Sequence, residues 1–234
     1  MLKFRPIKDG IETLSTPTKL ILASQSPRRH ELLALGGIPF EVHSADLDET
    51  PLEGEAPPEY VLRLAAAKAR AVGDALTESA LVLAADTTVV HAGRILGKPA
   101  DEAEARRMLG ELAGASHQVF TAIALYDTAS GELRSDLAES PVPIRALSAA
   151  EIDDYVASGD PLDKAGAYGI QNENFQLIGD FADCFANVMG LPLCHLQRNL
   201  AHFNLSFEGE IEHACQRHLG YDCPVHEMIL QWKR

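Results

Sequence analysis

Two adjacent arginines stand at the point where a helix is expected to begin. Arg28 and Arg29 follow a short apolar segment and the hydroxyl residues Ser24 and Ser26. A helix N-terminus carries partial positive charge, so cations are disfavoured there and anions are favoured. Free backbone N–H groups, two hydroxyls and two forked guanidinium groups suit a polyanionic ligand such as a phosphate chain. The alternative is a solvated arginine pair matched by a nearby acid such as Glu31.

A lysine interrupts the apolar face of the next predicted helix. Val61, Leu64 and Lys68 share one face by helical spacing. The Lys68 ammonium could reach solvent along its stem, or it could enter a polar pocket, where it would need a negative partner. Asp86, which ends the apolar segment LVLAAD, is the candidate partner, with a turn-capping role as the alternative.

Two further residues extend this set of charges. Glu49 lies in the acidic segment SADLDET, and together with Asp86 it could hold a hard cation such as Mg²⁺ through oxygen ligands, or it could simply be solvated. Lys98 lies in GRILGKP, which is not a P-loop because its glycines are too close and Pro99 replaces the Ser or Thr. Lys98 is therefore kept as a single phosphate contact. The whole set indicates metal-assisted attack on a nucleoside triphosphate.

Alternating strands and helices must position these side chains, which predicts an α/β protein with a mixed sheet. Apolar runs and alternation mark the strands, and caps and helical spacing mark the helices. The predicted elements are a strand at 20–24, a helix from Pro27 to a stop at Gly36-Gly37, a strand at 40–43, a helix at 58–76, a strand that starts at 81 and continues to a tight turn at Ala92-Gly93, a helix at 101–112, a hairpin of 117–127 with 132–146, a helix opened by the Ser148–Glu151 capping box, and a last core helix within 190–203.

Composition narrows the class of protein. The chain has 234 residues and is 46% hydrophobic, which is enough to form a substantial core. Its net charge of -14 argues against a general DNA, RNA or membrane-surface binder, because these partners are polyanions. No apolar run approaches the ~18 residues of a membrane span, and the N-terminal residues do not resemble a signal peptide. We therefore expect a cytoplasmic protein whose four cysteines are reduced.

Six segments taken together closely resemble the Maf family of nucleoside triphosphate pyrophosphatases. They are SQSPRR, RLAAAKA, AADTTV, GKP, HQVFTAIAL and GDPLDKAGAYGIQ, spread in order over residues 20–200. The resemblance implies an elongated mixed sheet flanked by helices, with two lobes and a central cleft, of the Maf/inosine triphosphatase type. It also implies a cytoplasmic, often dimeric enzyme that uses a divalent metal such as Mg²⁺ or Mn²⁺. The corresponding domains are a leader at 1–18, the catalytic domain at 19–205 and a helical extension at 206–234.

The resemblance also assigns roles to individual residues. Asp86 matches the proton acceptor and, with Glu49, the metal-binding acids. Lys68 and Lys98 match catalytic, phosphate-binding positions, as does Arg29. The positions that separate substrate classes are Arg28, Thr87 and Gln171.

At those three positions the chain is similar to relatives that act on dTTP and UTP. Relatives that act on 7-methyl-GTP have Trp in place of Arg28 and Gln in place of Thr87. The expected reaction yields a monophosphate and pyrophosphate from dTTP, UTP or a modified pyrimidine nucleotide. A shifted base specificity, such as 7-methyl-GTP, and a nucleotide-binding regulator of septum formation remain as alternatives.

Two segments depart from the family pattern. After Gln171 the chain has NENFQLIGD, where relatives carry a Gly-x-Gly pattern. The C-terminal tail contains cysteines and histidines that could bind zinc, although Cys215 and Cys223 do not have the spacing of a zinc knuckle. A small packed helical appendage is the favoured interpretation of this tail. The possible zinc ligands are Cys194, His195, His213, Cys215, His218, Cys223 and His226.

Overall fold

The computed structural model describes residues 19–172 and 174–232, and the predicted leader, 1–18, lies outside them. Within the described residues six strands form one mixed sheet. These are β1 (Leu20–Ala23), β2 (Phe40–His43), β3 (Leu81–His91), β4 (Arg94–Leu96), β5 (Ser116–Asp127) and β6 (Leu133–Pro143). Their order is β2-β1-β3-β5-β6, with β4 paired to β3. β1 runs parallel to β2 and β3, and the β3–β4, β3–β5 and β5–β6 pairs are antiparallel.

Helices cover both faces of this sheet. They are α1 (Pro27–Ala34), α2 (Pro57–Gly73), α3 (Glu102–Leu112), α4 (Ala149–Ala157), α5 (Phe185–Met189), α6 (Leu193–Leu200), α7 (Ile211–Leu219) and α8 (His226–Gln231). Two 3₁₀ turns, Asp160–Asp163 and Ala165–Ala167, follow α4. The predicted α/β class with a mixed sheet is confirmed.

The core consists of three clusters. Two of them lie on opposite faces of the first half of β3, and the third lies beside its second half. Even-numbered β3 residues such as Val82 pack with the α2 side chains Val61 and Ala65. Odd-numbered ones such as Leu83 pack on the opposite face with α1 and α6. Beyond the middle of β3, Val89 belongs to a third cluster built with α3 and α4. The long strands β3 and β5 therefore connect two lobes, as expected, and the change of partners occurs halfway along β3.

Most predicted boundaries are reproduced within a few residues. The Ser148 hydroxyl accepts from the Glu151 N–H at 3.3 Å, which confirms the capping box. Ala92 and Gly93 both have positive φ, 48° and 75°, which confirms the tight turn. Two details differ. The helix predicted at 58–76 ends at Gly73, and Ser26 precedes α1 without a side-chain cap hydrogen bond.

The C-terminal extension packs on the face of the sheet that α1 and α6 cover. Phe207 lies so close to Gly36 that a Cβ placed on this glycine would be 2.0 Å from the ring. The Glu208 N–H donates to the Gly36 carbonyl at 2.8 Å. The extension contributes α7 and α8, in agreement with the favoured interpretation of a helical appendage. Among the described residues, no helix has the length and apolarity that crossing a bilayer would require.

Candidate active site

One edge of β3 has no neighbouring strand near the middle of β3, and a cleft lies over this uncovered stretch. Side chains on both faces of the sheet reach the cleft there. β1 pairs with β3 as far as Leu83, and β4 pairs with it from Val89. Among the described residues, no strand covers this edge between those positions, where Asp86 and Thr87 lie. Because successive strand residues point to opposite faces, Asp86 meets α2 and Thr87 meets α1.

The cleft over this gap has a volume of about 1100 Å³. Every side chain that the sequence singled out for catalysis, substrate binding or metal binding lines it. These residues are Ser24, Ser26, Arg28, Arg29, Glu49, Lys68, Asp86, Thr87, Lys98 and Gln171. The structure thus brings the cations and carboxylates together in one crevice, while the role of each residue stays a prediction.

An ion-paired group of three forms the centre of the cleft. The Lys68 Nζ lies 2.6 Å from the Asp86 carboxylate and 2.7 Å from the Glu49 carboxylate. Lys68 reaches this position because the apolar face of α2 packs on the sheet, so a lysine on that face meets the β3 acid. Asp86 is only 6% exposed. Burial raises the pKa of Asp86, against the opposing charges of Lys68 and Arg29. The result is a buried carboxylate with increased proton affinity.

Arg29 is held from three sides by the protein itself. Its Nε donates to the Gly190 carbonyl at 2.9 Å, and its terminal nitrogens donate to the hydroxyls of Ser24 at 3.2 Å and Thr87 at 3.1 Å. A guanidinium has five N–H donors, so two remain for a ligand. Arg29 is therefore a preoriented donor, which the sequence alone did not predict. Gly190 is required here, since its φ is 105° and a Cβ would lie 3.1 Å from the Thr87 hydroxyl.

A hydroxyl chain continues from Arg29 into the core. The hydroxyls of Thr87 and Thr121 are 2.9 Å apart, and Thr121 donates to the Asn187 carbonyl at 2.8 Å. The single Thr121 proton is thereby used, so the Thr87 hydroxyl donates to Thr121 and accepts from Arg29. The Asn187 amide in turn donates to Ser140 at 2.8 Å. Sequence reasoning missed this chain, although polar Thr121 within the apolar run HQVFTAIAL is a visible signal.

Three side chains at the cleft are available to a ligand. In the part of the chain that the structure describes, Arg28, Lys98 and Gln171 make no side-chain hydrogen bond or ion pair. Lys98 and Gln171 are exposed and Arg28 is half-buried. These are the groups that a triphosphate or a base can engage without breaking a contact within the protein.

Comparison with known proteins identifies the family. The model of the Maf-like protein family matches residues 19–203. The chain is 46% identical over 182 residues to a dTTP/UTP pyrophosphatase of Geobacter sulfurreducens, covering 78% of this chain and 95% of that protein. It is 51% identical over 179 residues to a protein of the same name from Anaeromyxobacter dehalogenans, covering 75% of this chain and 89% of that protein. The chain belongs to the Maf-like protein family.

The opposite wall of the cleft in this Maf-like protein comes from the segment after α4. Lys164 Nζ lies 3.0 Å from Asp160 and 2.7 Å from Asp163. Tyr155 donates to Asp160 at 2.6 Å and accepts from the Gly169 N–H at 3.0 Å, which anchors the segment on α4. Sequence reasoning used this segment as part of the family resemblance but did not select its charged residues. The run DPLDK, with three charges in five residues, was the available signal.

Glu49 and Asp86 have the donor chemistry for a divalent cation in this Maf-like protein. Their oxygens converge on one point, since each lies within hydrogen-bond distance of the Lys68 ammonium. Mg²⁺ is commonly held by one or two carboxylates together with substrate phosphate oxygens. The two acids therefore fit such an ion once a triphosphate supplies further oxygen ligands.

Within residues 19–172 and 174–232, the tail cysteines do not belong to a group of three or more candidate zinc ligands. Among the described residues, the one group of three or more candidate ligand atoms that all lie within 4.8 Å of one another is made by Glu210, Glu212 and His213. Cys215 and Cys223 are outside it. Cys215 instead packs in the apolar core beneath α7.

Proposed function

We propose that this chain hydrolyses pyrimidine nucleoside triphosphates, dTTP and UTP or their modified forms, to the monophosphate and pyrophosphate. The observation that carries the proposal is the buried Asp86 carboxylate at the floor of a cleft bordered by unpaired cations. Relatives that are 45–51% identical over most of the chain are named dTTP/UTP pyrophosphatases, which supports the same reaction here.

The triphosphate binds along the cations that line the cleft. Arg28, Lys98 and the two remaining N–H groups of Arg29 neutralise its phosphate oxygens. Glu49 and Asp86 would hold a divalent cation, Mg²⁺ or Mn²⁺, which would supply charge neutralisation at the reacting phosphate. Because Arg29 is fixed before the substrate arrives, little reorganisation is needed as charge develops.

Asp86 accepts a proton from the attacking water. Its burial raises its pKa and so its proton affinity, while Lys68 at 2.6 Å keeps it ionised and oriented. The water oxygen attacks the α-phosphorus, and the bond from this phosphorus to the bridging oxygen breaks. Pyrophosphate leaves with its charge stabilised by Lys98 and the arginines.

Base selection comes from the residues around the cleft mouth. Gln171 is exposed and offers both an amide donor and an acceptor, which match a pyrimidine edge. Arg28 is the second direct contact. The Thr87 hydroxyl donates to Thr121 and accepts from Arg29, so it has no proton left for the base. Thr87 therefore affects specificity indirectly, by fixing the position of Arg29.

A nucleotide panel tests this proposal. Pyrophosphate release is measured for dTTP, UTP, 7-methyl-GTP and the other common triphosphates with Mg²⁺ or Mn²⁺, and Asp86→Asn is the control. We expect dTTP and UTP to be the best substrates, and Asp86→Asn to lower kcat by roughly 10²–10⁴-fold while still binding nucleotide. Binding without turnover of any nucleotide by the unmodified chain would favour the nucleotide-binding regulator of septum formation instead.

The family resemblance further supports a homodimer in the cytoplasm as part of this proposal. The net charge of -14 supports the expectation that nucleic acid is not a partner. Light scattering of the purified chain measures the oligomeric state, and a monomer at micromolar concentration would remove the dimer from the proposal.

A further inference from the structure

All four cysteines of the chain surround one small apolar cavity, which shares no lining residue with the catalytic cleft. The cavity lies between α6, α7 and the segment that joins α7 to α8. Its lining includes Cys184, Cys194, Cys215, Cys223 and His226. Two of these cysteines precede or lie on helices of the catalytic domain, and the other two belong to the C-terminal extension. The cavity is therefore a place where the extension and the domain could be joined covalently.

Cys184 and Cys223 line this cavity from the two sides of that boundary. Aromatic packing holds the two segments together, because the Tyr221 ring lies 5.7 Å from Phe181 and 5.5 Å from Phe185. The Tyr221 hydroxyl also donates to the Phe181 carbonyl at 3.3 Å. Cys184 directly precedes Phe185 of this aromatic cluster, and Cys223 stands two residues after Tyr221.

The four thiols differ in reactivity. The pKa of Cys223 is lowered to about 6, against the effect of burial. The largest cause is the Cys184 side chain, followed by the backbone N–H groups of Val225 and His226 and the charge of His226. Burial raises the pKa of Cys194 and Cys215 to about 12. Only the thiolate is a good nucleophile. At neutral pH, Cys223 is therefore the cysteine that reacts first, and it is also half-buried where the other three are buried.

We propose that Cys184 and Cys223 form a reversible disulfide when the protein meets hydrogen peroxide. The Cys223 thiolate attacks a peroxide oxygen, the O–O bond breaks, and hydroxide leaves to become water, which gives a sulfenic acid. The Cys184 sulfur then attacks the Cys223 sulfur, and its proton leaves with the departing hydroxide as a second water. Two thiols and one peroxide become one disulfide and two waters. A dithiol reductant reverses the bond.

The bond would join the extension to the start of α5. Cys184 directly precedes this helix, and Gly190, which ends it, holds Arg29 through its carbonyl. Both cysteines line the same small cavity, so the bridge joins neighbouring parts of the fold. It closes a loop of about 40 residues, and we expect the oxidised chain to unfold roughly 5–10 °C higher than the reduced one.

Peroxide treatment of the full chain, followed by alkylation and non-reducing peptide mass spectrometry, tests the proposal. We expect a Cys184–Cys223 linked peptide that disappears after reduction. It should be lost in Cys184→Ser and in Cys223→Ser, and retained in the matched control Cys215→Ser. Alkylation of the unmodified chain by a limiting reagent, followed by the same analysis, should label Cys223 first. A bridge between other cysteines, or four thiols that remain equally alkylated after peroxide, would overturn the assignment.

Discussion

Replacing Lys68 by methionine removes the one cation that separates two carboxylates. Methionine keeps the apolar part of the side chain against α2 and the sheet, so the packing changes little. The ammonium, 2.6 Å from Asp86 and 2.7 Å from Glu49, is lost. Asp86, which is 6% exposed, then faces Glu49 with only the more distant Arg29 as a countercharge.

The expected loss of stability follows from the burial of the three groups. Removing one partner of a buried ion pair costs about 3–5 kcal/mol. The Lys68 side chain is 17% exposed and that of Glu49 is 53% exposed, which places this site below that range. We expect Lys68→Met to lower the free energy of unfolding by about 2–3 kcal/mol at pH 8, or Tm by roughly 4–12 °C.

The loss should depend on pH in a definite direction. Burial raises the pKa of Asp86 above its ordinary value, and losing Lys68 raises it further. The folded state then binds this proton more tightly than the unfolded state, so stability falls as pH rises from the unfolded pKa of Asp86 through its folded pKa. The destabilisation should therefore be complete at pH 8 and smaller at pH 5.

Urea unfolding of four proteins at both pH values measures this effect. The proteins are the unmodified chain, Lys68→Met, Asp86→Asn and the double variant. Asp86→Asn removes the uncompensated charge, so the double variant should recover most of the stability that Lys68→Met loses. A loss below about 0.5 kcal/mol that is equal at pH 5 and pH 8, with no recovery in the double variant, would refute the ion-pair reasoning.

Three further variants test other parts of the structure. Lys98→Ala should raise KM for the triphosphate about tenfold and leave Tm within 1–2 °C, because Lys98 is exposed and makes no side-chain hydrogen bond or ion pair among the described residues. Thr121→Val should lower kcat/KM about tenfold and stability by about 1–3 kcal/mol, since it breaks the hydroxyl chain behind Arg29. Gly36→Ala should lower stability by about 1–3 kcal/mol in thermal unfolding, because the new methyl group displaces the Phe207 ring. The control is Gly110→Ala, on a helix with open space around it, which should raise stability by about 0.5 kcal/mol.

Local signals explain which parts could be predicted from the sequence. A lysine on an apolar helical face and an acid at the end of an apolar strand are anomalies within one element, so Lys68 and Asp86 stood out. The Ser148 capping box and the Ala92-Gly93 turn are also set by neighbouring residues. The contacts of Arg29 with Thr87 and Gly190 span 58 and 161 residues, and no local pattern specifies them. The same holds for the position of Cys184 and Cys223 around one cavity.

The position of Asp86 follows from the unequal lengths of the strands. β1 has four residues and β3 has eleven, so β1 leaves the edge of β3 before Asp86 is reached. The chain then turns into α1, which brings Arg28 and Arg29 beside the exposed strand edge. Alternation sends Asp86 towards Lys68 on one face and Thr87 towards Arg29 on the other. A single short stretch of β3 thus positions the carboxylate that we propose as proton acceptor and fixes the arginine that we propose binds phosphate. A longer β1 would cover the edge on which both depend.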